Sequence, residues 1–151
     1  MKKEKLLVSA CLLGEKTRYD GKDNYLPSLA LLAPYFEFVS FCPEVAGGLG
    51  IPRSPCERVG SKVINLDKQD KTNEFILGAN QAVELCTKLG IAYALLQDRS
   101  PSCGVASIYD GSFKGILIKG EGLTTKALKE KGVEVYSDQQ LDTLLAKIKQ
   151  R

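Results

Sequence analysis

The run LLVSA, residues 6–10, followed at once by Cys11, decides how the rest of the chain is read. It is short, almost wholly apolar and carries β-branched Val8, the pattern of a strand buried on both faces of a sheet. The lysines before it give the same residues a superficial likeness to a lipoprotein leader ending at Cys11. A secretory core needs about 7–15 apolar residues, and only Leu6 to Ala10 separate Lys5 from that cysteine, so export is rejected and a cytoplasmic protein is expected. No other uninterrupted apolar run approaches the ~18 residues of a membrane span.

Outward from this strand the pattern alternates. A short helix is expected over Pro27 to Leu32, closed by Pro34, and then a second strand over Phe36 to Phe41, rich in aromatic and β-branched residues. Cys42 to Gly60 is so punctuated by glycine and proline that a long irregular loop is predicted, and such loops are usually functional. Phe75, Ala79, Ala82, Val83, Cys86 and Leu89 recur at helical spacing, which predicts a helix from Thr72 to Leu89 capped by Gly90. A third strand, Ile91 to Leu96, leads into QDRSPSCG, and Ser107 to Ile118 alternates around Asp110-Gly111 as a hairpin would. A helix over Leu123 to Lys131, a strand over Val133 to Tyr136 and a last helix from Asp138 to about Lys149 follow, with Ser137 and Gln140 forming a capping box. Strands alternating with helices imply an α/β fold: one three-layer domain spanning residues 1–151, with a mainly parallel sheet of about four to five strands. A chain of 151 residues buries roughly 68–70% of its unfolded surface, enough for a core without disulfide staples.

The sequence contains 5 cysteines and no histidine. Ser-His and Cys-His catalytic pairs and His-ligated metals are excluded, so chemistry must come from cysteine, carboxylate, lysine, tyrosine or a cofactor. An odd number of widely spaced cysteines fits a reduced compartment. The net charge of +3 permits an anionic substrate without by itself predicting nucleic-acid binding.

Ligands of open parallel sheets bind beyond the carboxyl ends of the strands. Cys11 follows the first strand, Cys42 the second, and Cys103 lies in the loop leaving the third, so three thiols are delivered to one sheet edge. Cys86 belongs to the apolar stripe of a helix and reads as a small core residue. Cys56, in the long loop, either packs there or joins the site. Three convergent thiols can remain unliganded, carry redox chemistry, or bind a soft metal or cluster. A structural zinc would want a fourth ligand and C-x-x-C knuckles, which are absent; a three-cysteine iron–sulfur cluster would leave one iron open. The same loops carry Arg18, Tyr19 and Asp20, then Glu44, Arg53, Glu57 and Arg58, then Asp98, Arg99, Ser100 and Ser102. Glu44 is placed to move a proton if burial raises its pKa. Arg18, Tyr19, Asp20 and Arg53 are candidate substrate contacts, although the arginines can equally pair with Asp20, Glu44, Glu57 and Asp98. Dinucleotide and Walker fingerprints are absent, and a phosphatase loop fails because Arg18 falls one residue too far from Cys11.

Together VSACLLG (8–14), RYDG (18–21), FCPEVAGGLGIPR (41–53), SPSCG (100–104) and IYDGSF (108–113) resemble the bacterial family of thiouracil desulfurases and their uncharacterised relatives. The resemblance implies a Rossmann-like fold and a 4Fe-4S cluster held by Cys11, Cys42 and Cys103, with one iron open. It further implies an enzyme that takes sulfur from a thiolated pyrimidine base or nucleoside while water replaces it. A catalytic glutamate and serine, also implied, fall best on Glu44 and Ser102, with Ser100 as the rival; Cys56 competes with Cys42 as second ligand. The alternative from another class is a non-catalytic small-ligand module whose thiols bind zinc or stay free.

Overall fold

The structure, a computed structural model, describes residues 3–150. Strand β1 (Glu4–Ser9) pairs in parallel with β2 (Phe36–Phe41). After the short helix α1 (Pro43–Ala46) come β3 (Cys56–Val59) and β4 (Lys62–Asn65), an antiparallel pair separate from the main sheet, then helix α2 (Thr72–Leu89) and β5 (Tyr93–Leu96). A second hairpin, β6 (Ser107–Tyr109) with β7 (Leu117–Lys119), precedes helix α3 (Leu123–Glu130), β8 (Glu134–Ser137) and helix α4 (Leu141–Lys149). The central sheet has four parallel strands in the order β2-β1-β5-β8. No described helix is long and apolar enough to cross a membrane.

Two apolar clusters make the layers. Leu6, Val8, Tyr93 and Leu95 face one way, against Leu29 of the 3-10 turn Pro27–Leu31, Leu32 just after it, and Leu141 and Leu144 of α4. Leu7, Ala94 and Leu96 face the other way, onto Ala82 and Cys86 of α2 and Leu128 of α3. Successive strand residues point to opposite faces, so a strand covered on both sides has to be apolar throughout, as LLV is. Each fully buried leucine contributes about 1.5–3 kcal/mol relative to exposure.

The expected bounds of β2 and α2 coincide with the observed ones, and Gly90 closes α2 at φ 68°. The Ser137–Gln140 capping box forms, although it opens on a 3-10 turn, Asp138–Gln140, before α4 begins. The stretch Cys42–Gly60 departs from the expected irregular loop. It carries α1 and the first strand of a hairpin that turns at Gly60, φ 62°. Its polar residues fall in adjacent pairs, Glu57-Arg58 and Ser61-Lys62, instead of alternating with apolar ones, and this hides the strand character.

Glycines fix α1 against α2. A Cβ on Gly47 would stand 2.0 Å from the Glu74 carbonyl oxygen, and one on Gly78 would stand 2.0 Å from that of Pro43. The absence of side chains at both positions lets the two backbones touch. This contact seats the turn that bears Cys42 and Glu44.

Candidate active site at the carboxyl edge of the sheet

Because the chain runs outward from β1 to β2 and then crosses back to β5 on the other side, the loops after β2, β1 and β5 converge on one crevice. Cys11 lies in the 3-10 turn Ala10–Leu13 that leaves β1, Cys42 sits between β2 and α1, and Cys103 lies in the loop beyond β5. All three line a single cavity of about 470 Å³. Burial pushes each thiol above its ordinary pKa, most strongly at Cys103. The thiols also act on one another: Cys42 raises Cys11, and both raise Cys103. Counter-influences are in place, since the Ser9 hydroxyl, the Asn24 amide and the backbone amides after Cys42 favour the three thiolates.

Among the described residues no three Cys, Asp or Glu side chains close around a position that would hold one metal ion. Three soft donors distributed around a cavity suit a cluster of several irons, whose ligand sulfurs stand apart, better than a lone zinc. The donor chemistry and the space therefore fit an iron–sulfur cluster.

Beside the thiols, Glu44 is largely buried, and desolvation raises its carboxyl pKa against the opposing pull of Arg53 and Ser100. Arg53 Nη2 is 3.5 Å from Glu44 Oε1, and Ser100 Oγ donates to Glu44 Oε2 across 3.4 Å. Ser102, the first choice for the catalytic serine, is turned away: it is fully buried, lies outside the cavity lining, and pairs its Oγ with Thr124 Oγ1 at 2.8 Å. The turn through Arg99, whose φ is 74°, presents Ser100 to the cavity instead.

Arg53 lines the cavity, yet its terminal nitrogens donate to Thr17 and Gly50 carbonyls as well as facing Glu44. Its Nε is buried without a partner. Tyr19 lines the cavity and lies under the Arg18 guanidinium. Arg18 lines it too but is committed to Asp20 and Asn24, and Asp20 stands outside the lining. Arg58 donates to the Glu121 and Gly60 carbonyls, away from the site. Of the four proposed acidic partners for arginine, Asp20 and Glu44 serve. Glu57 instead accepts the amides of Gly111 and Phe113, and Asp98 accepts those of Arg99, Val105, Ala106 and Ser107.

Cys56 opens β3 at the cavity wall. Its thiol, pushed up to about 11 chiefly by burial, is influenced most by Glu44, Arg53, Lys71 and Glu74 rather than by the other thiols. Cys86 is buried in the core against Leu7 and Leu128, as its helical spacing predicts. One residue escaped the sequence reading. Asn24 donates from Nδ2 to Cys11 Sγ at 3.4 Å, a contact with no local signal. Asp98, two residues beyond β5, was legible as a charge in that loop and a partner for arginine, but not as the acceptor of four of the loop's amides.

This arrangement defines a class: α/β proteins with a soft-donor pocket, backed by a buried carboxylate, at the carboxyl edge of a parallel sheet. Within it, the chain belongs to the 2-thiouracil desulfurase family, whose model matches residues 6–140. It is 32% identical over 150 residues to the uncharacterized protein YbbK of Bacillus subtilis (strain 168), covering 93% of this chain and 99% of that one. It also matches the solved structure of a 4Fe-4S-dependent thiouracil desulfidase, TudS, at 44% identity and a TM-score of 0.91, over 99% of this chain and 100% of that one.

Proposed function

We propose that this protein is an iron–sulfur-dependent desulfurase that removes sulfur from a thiolated pyrimidine, as base or nucleoside, with water taking its place. Membership of the family and the likeness to TudS support the reaction and the 4Fe-4S cofactor. The observation that carries the reading is the meeting of Cys11, Cys42 and Cys103 with Glu44 in one cavity.

Cys11, Cys42 and Cys103 would hold the cluster, and when bound it supplies an open iron, a soft acceptor for a thiocarbonyl sulfur. Glu44 takes a proton from the attacking water at its carboxylate and returns one to the ring, a role that its burial beside Arg53 suits. Ser100 holds the Glu44 carboxylate in place through its hydroxyl. Arg53 and Tyr19 form the wall against which the pyrimidine is oriented.

Anaerobic reconstitution followed by iron and sulfide analysis tests the cofactor, and release of sulfide from 2-thiouracil and thiouridine tests the reaction. Brown protein with about four irons and four sulfides per chain and measurable sulfide release is expected. Colourless, iron-free protein would overturn the reading. A loaded protein that binds thiouracil without turnover would instead make it a binding module.

A further inference from the structure

We propose that Asn24 is a positioning residue of the cluster site, an N–H···S donor to the Cys11 sulfur that is locked in register by Arg18 and Asp20. This inference rests on the cluster reading above and extends it to residues outside the ligand set.

The contact is specific. Asn24 Nδ2 lies 3.4 Å from Cys11 Sγ, and the Asn24 backbone N–H donates to the Cys11 carbonyl at 3.0 Å, so the two residues are tied twice. An asparagine amide can present either its oxygen or its nitrogen, and only the nitrogen can donate to a sulfur. The neighbour on its other side removes the ambiguity. Arg18 Nη1 stands 3.1 Å from Asn24 Oδ1, and a guanidinium has donors only, so the amide oxygen must face Arg18 and the NH₂ must face the thiol. Arg18 is itself fixed, because its Nη2 meets Asp20 Oδ2 at 3.0 Å while Asp20 Oδ1 accepts the Lys22 amide at 3.1 Å. Asp20, Arg18, Asn24 and Cys11 thus form an unbroken chain. Arg18 and Asp20, which the sequence suggested as substrate contacts, also serve this chain, Arg18 through one bond from each terminal nitrogen.

Groups that donate to ligand sulfurs set the potential of an iron–sulfur site, because they stabilise the extra negative charge of the reduced form. Removing the Asn24 donor should therefore make a bound cluster harder to reduce. The test measures the midpoint potential of anaerobically reconstituted wild type, Asn24→Leu, Asn24→Asp and Arg18→Met, each with its iron content and circular dichroism. In Asn24→Leu the equilibrium constant for one-electron reduction is expected to fall by about tenfold, equivalent to about 59 mV. Asn24→Asp, which keeps the Arg18 contact but places a charge at the sulfur, should fall further. Arg18→Met should move less in the same direction. Wild-type potential in fully loaded Asn24→Leu and Asn24→Asp overturns the inference; if neither loads, a wild-type potential in Arg18→Met overturns it. A merely structural role for Asn24 would leave the potential of loaded protein unchanged. Wild type that binds no cluster overturns the underlying reading instead, and iron analysis separates the two failures.

Discussion

The Ser100 hydroxyl stands 3.4 Å from Glu44 Oε2 while its oxygen accepts the amide N–H groups of Ser102 and Cys103, each at 3.0 Å. A serine oxygen has two acceptor positions and one proton. Both acceptor positions face amides, so the proton is directed to the carboxylate. One hydroxyl thereby links the Cys103 loop to Glu44.

This linkage predicts opposite outcomes for two serines that stand two residues apart. Ser100→Ala should lower kcat by on the order of 10- to 100-fold, the value of one hydrogen bond to a charged group, and Glu44→Gln by about 10²–10⁴-fold. Ser102→Ala should keep near-wild-type kcat and lose about 1 kcal/mol of stability with its Thr124 partner. Sulfide-release kinetics alongside thermal melts check this. A collapse of kcat in Ser102→Ala with Ser100→Ala unaffected would reverse the assignment.

The two cysteines of the Cys42–Cys56 segment should separate just as sharply. Cys42 acts electrostatically on both Cys11 and Cys103, whereas the groups acting most on Cys56 are Glu44 and charged side chains around it. Cys42→Ser is expected to lose bound iron after reconstitution and Cys56→Ser to retain it. With its thiol pushed up to about 11, Cys56 should alkylate slowly at neutral pH. Its rate should rise about tenfold per pH unit until near that value, because only the thiolate reacts. Iron analysis reads the first result, and mass spectrometry of iodoacetamide-treated protein the second.

Position 47 tests how the second ligand is seated. The methyl group of Gly47→Ala would meet the Glu74 carbonyl at 2.0 Å, so α1 must lift from α2. Overpacking costs about 1–3 kcal/mol, and here the strain falls on the turn bearing Cys42 and Glu44. Iron retention and kcat should both drop, with a smaller relative change in melting temperature. Gly50→Ala, where an added Cβ meets nothing, is the matched control.

The sequence made the strand-end thiols legible because their placement follows from a local pattern and one topological rule. LLV is apolar on both faces, FEFVSF and the Thr72–Leu89 periodicity bound their elements without reference to anything distant, and parallel sheets gather loops at one edge. What stayed hidden depends on three-dimensional turns. Ser100 and Ser102 are chemically identical and two residues apart, and the positive φ of Arg99 belongs to the turn that orients them. Asn24 reaches Cys11 across 13 residues. The β3–β4 hairpin was masked because its charged residues and flanking prolines resemble loop sequence.

Burial of Cys86 predicts a pH dependence of stability. Its thiol is raised from 9.0 to about 11 by desolvation. The unfolded chain gives up this proton near pH 9, while the folded chain holds it until near pH 11, so the folded state binds more protons between those values. Stability from this group is thus fully present below about pH 9 and lost as pH rises toward 11. Cys86→Ala should be less stable than wild type at about pH 8 through the cavity it leaves. The gap should narrow on approach to pH 11, as urea titrations at both pH values would show. A constant gap would contradict the assignment.

Asp98 makes the strongest demand on the loop that carries Ser100 and Cys103. One of its oxygens, Oδ1, accepts the amides of Arg99, Val105, Ala106 and Ser107 at 2.9, 2.9, 3.1 and 3.2 Å, and its own amide donates to Asp138 Oδ1 at 2.9 Å. Asp98→Ala would leave several amides without an acceptor beneath a buried loop. Each unsatisfied group costs about 1–3 kcal/mol, so a loss of at least about 3 kcal/mol is expected, together with loss of iron binding through the freed Cys103. Asp98→Asn retains one acceptor oxygen and should fall between the two, if the amide oxygen takes the Oδ1 position. Denaturant unfolding with iron analysis checks the order wild type, Asn, Ala. Because the four amides converge on a single oxygen, the asparagine NH₂ can take the opposite, less crowded side, and loop geometry should survive. Equal damage from Asp98→Asn and Asp98→Ala would mean that the negative charge, rather than the shared acceptor, holds the loop together.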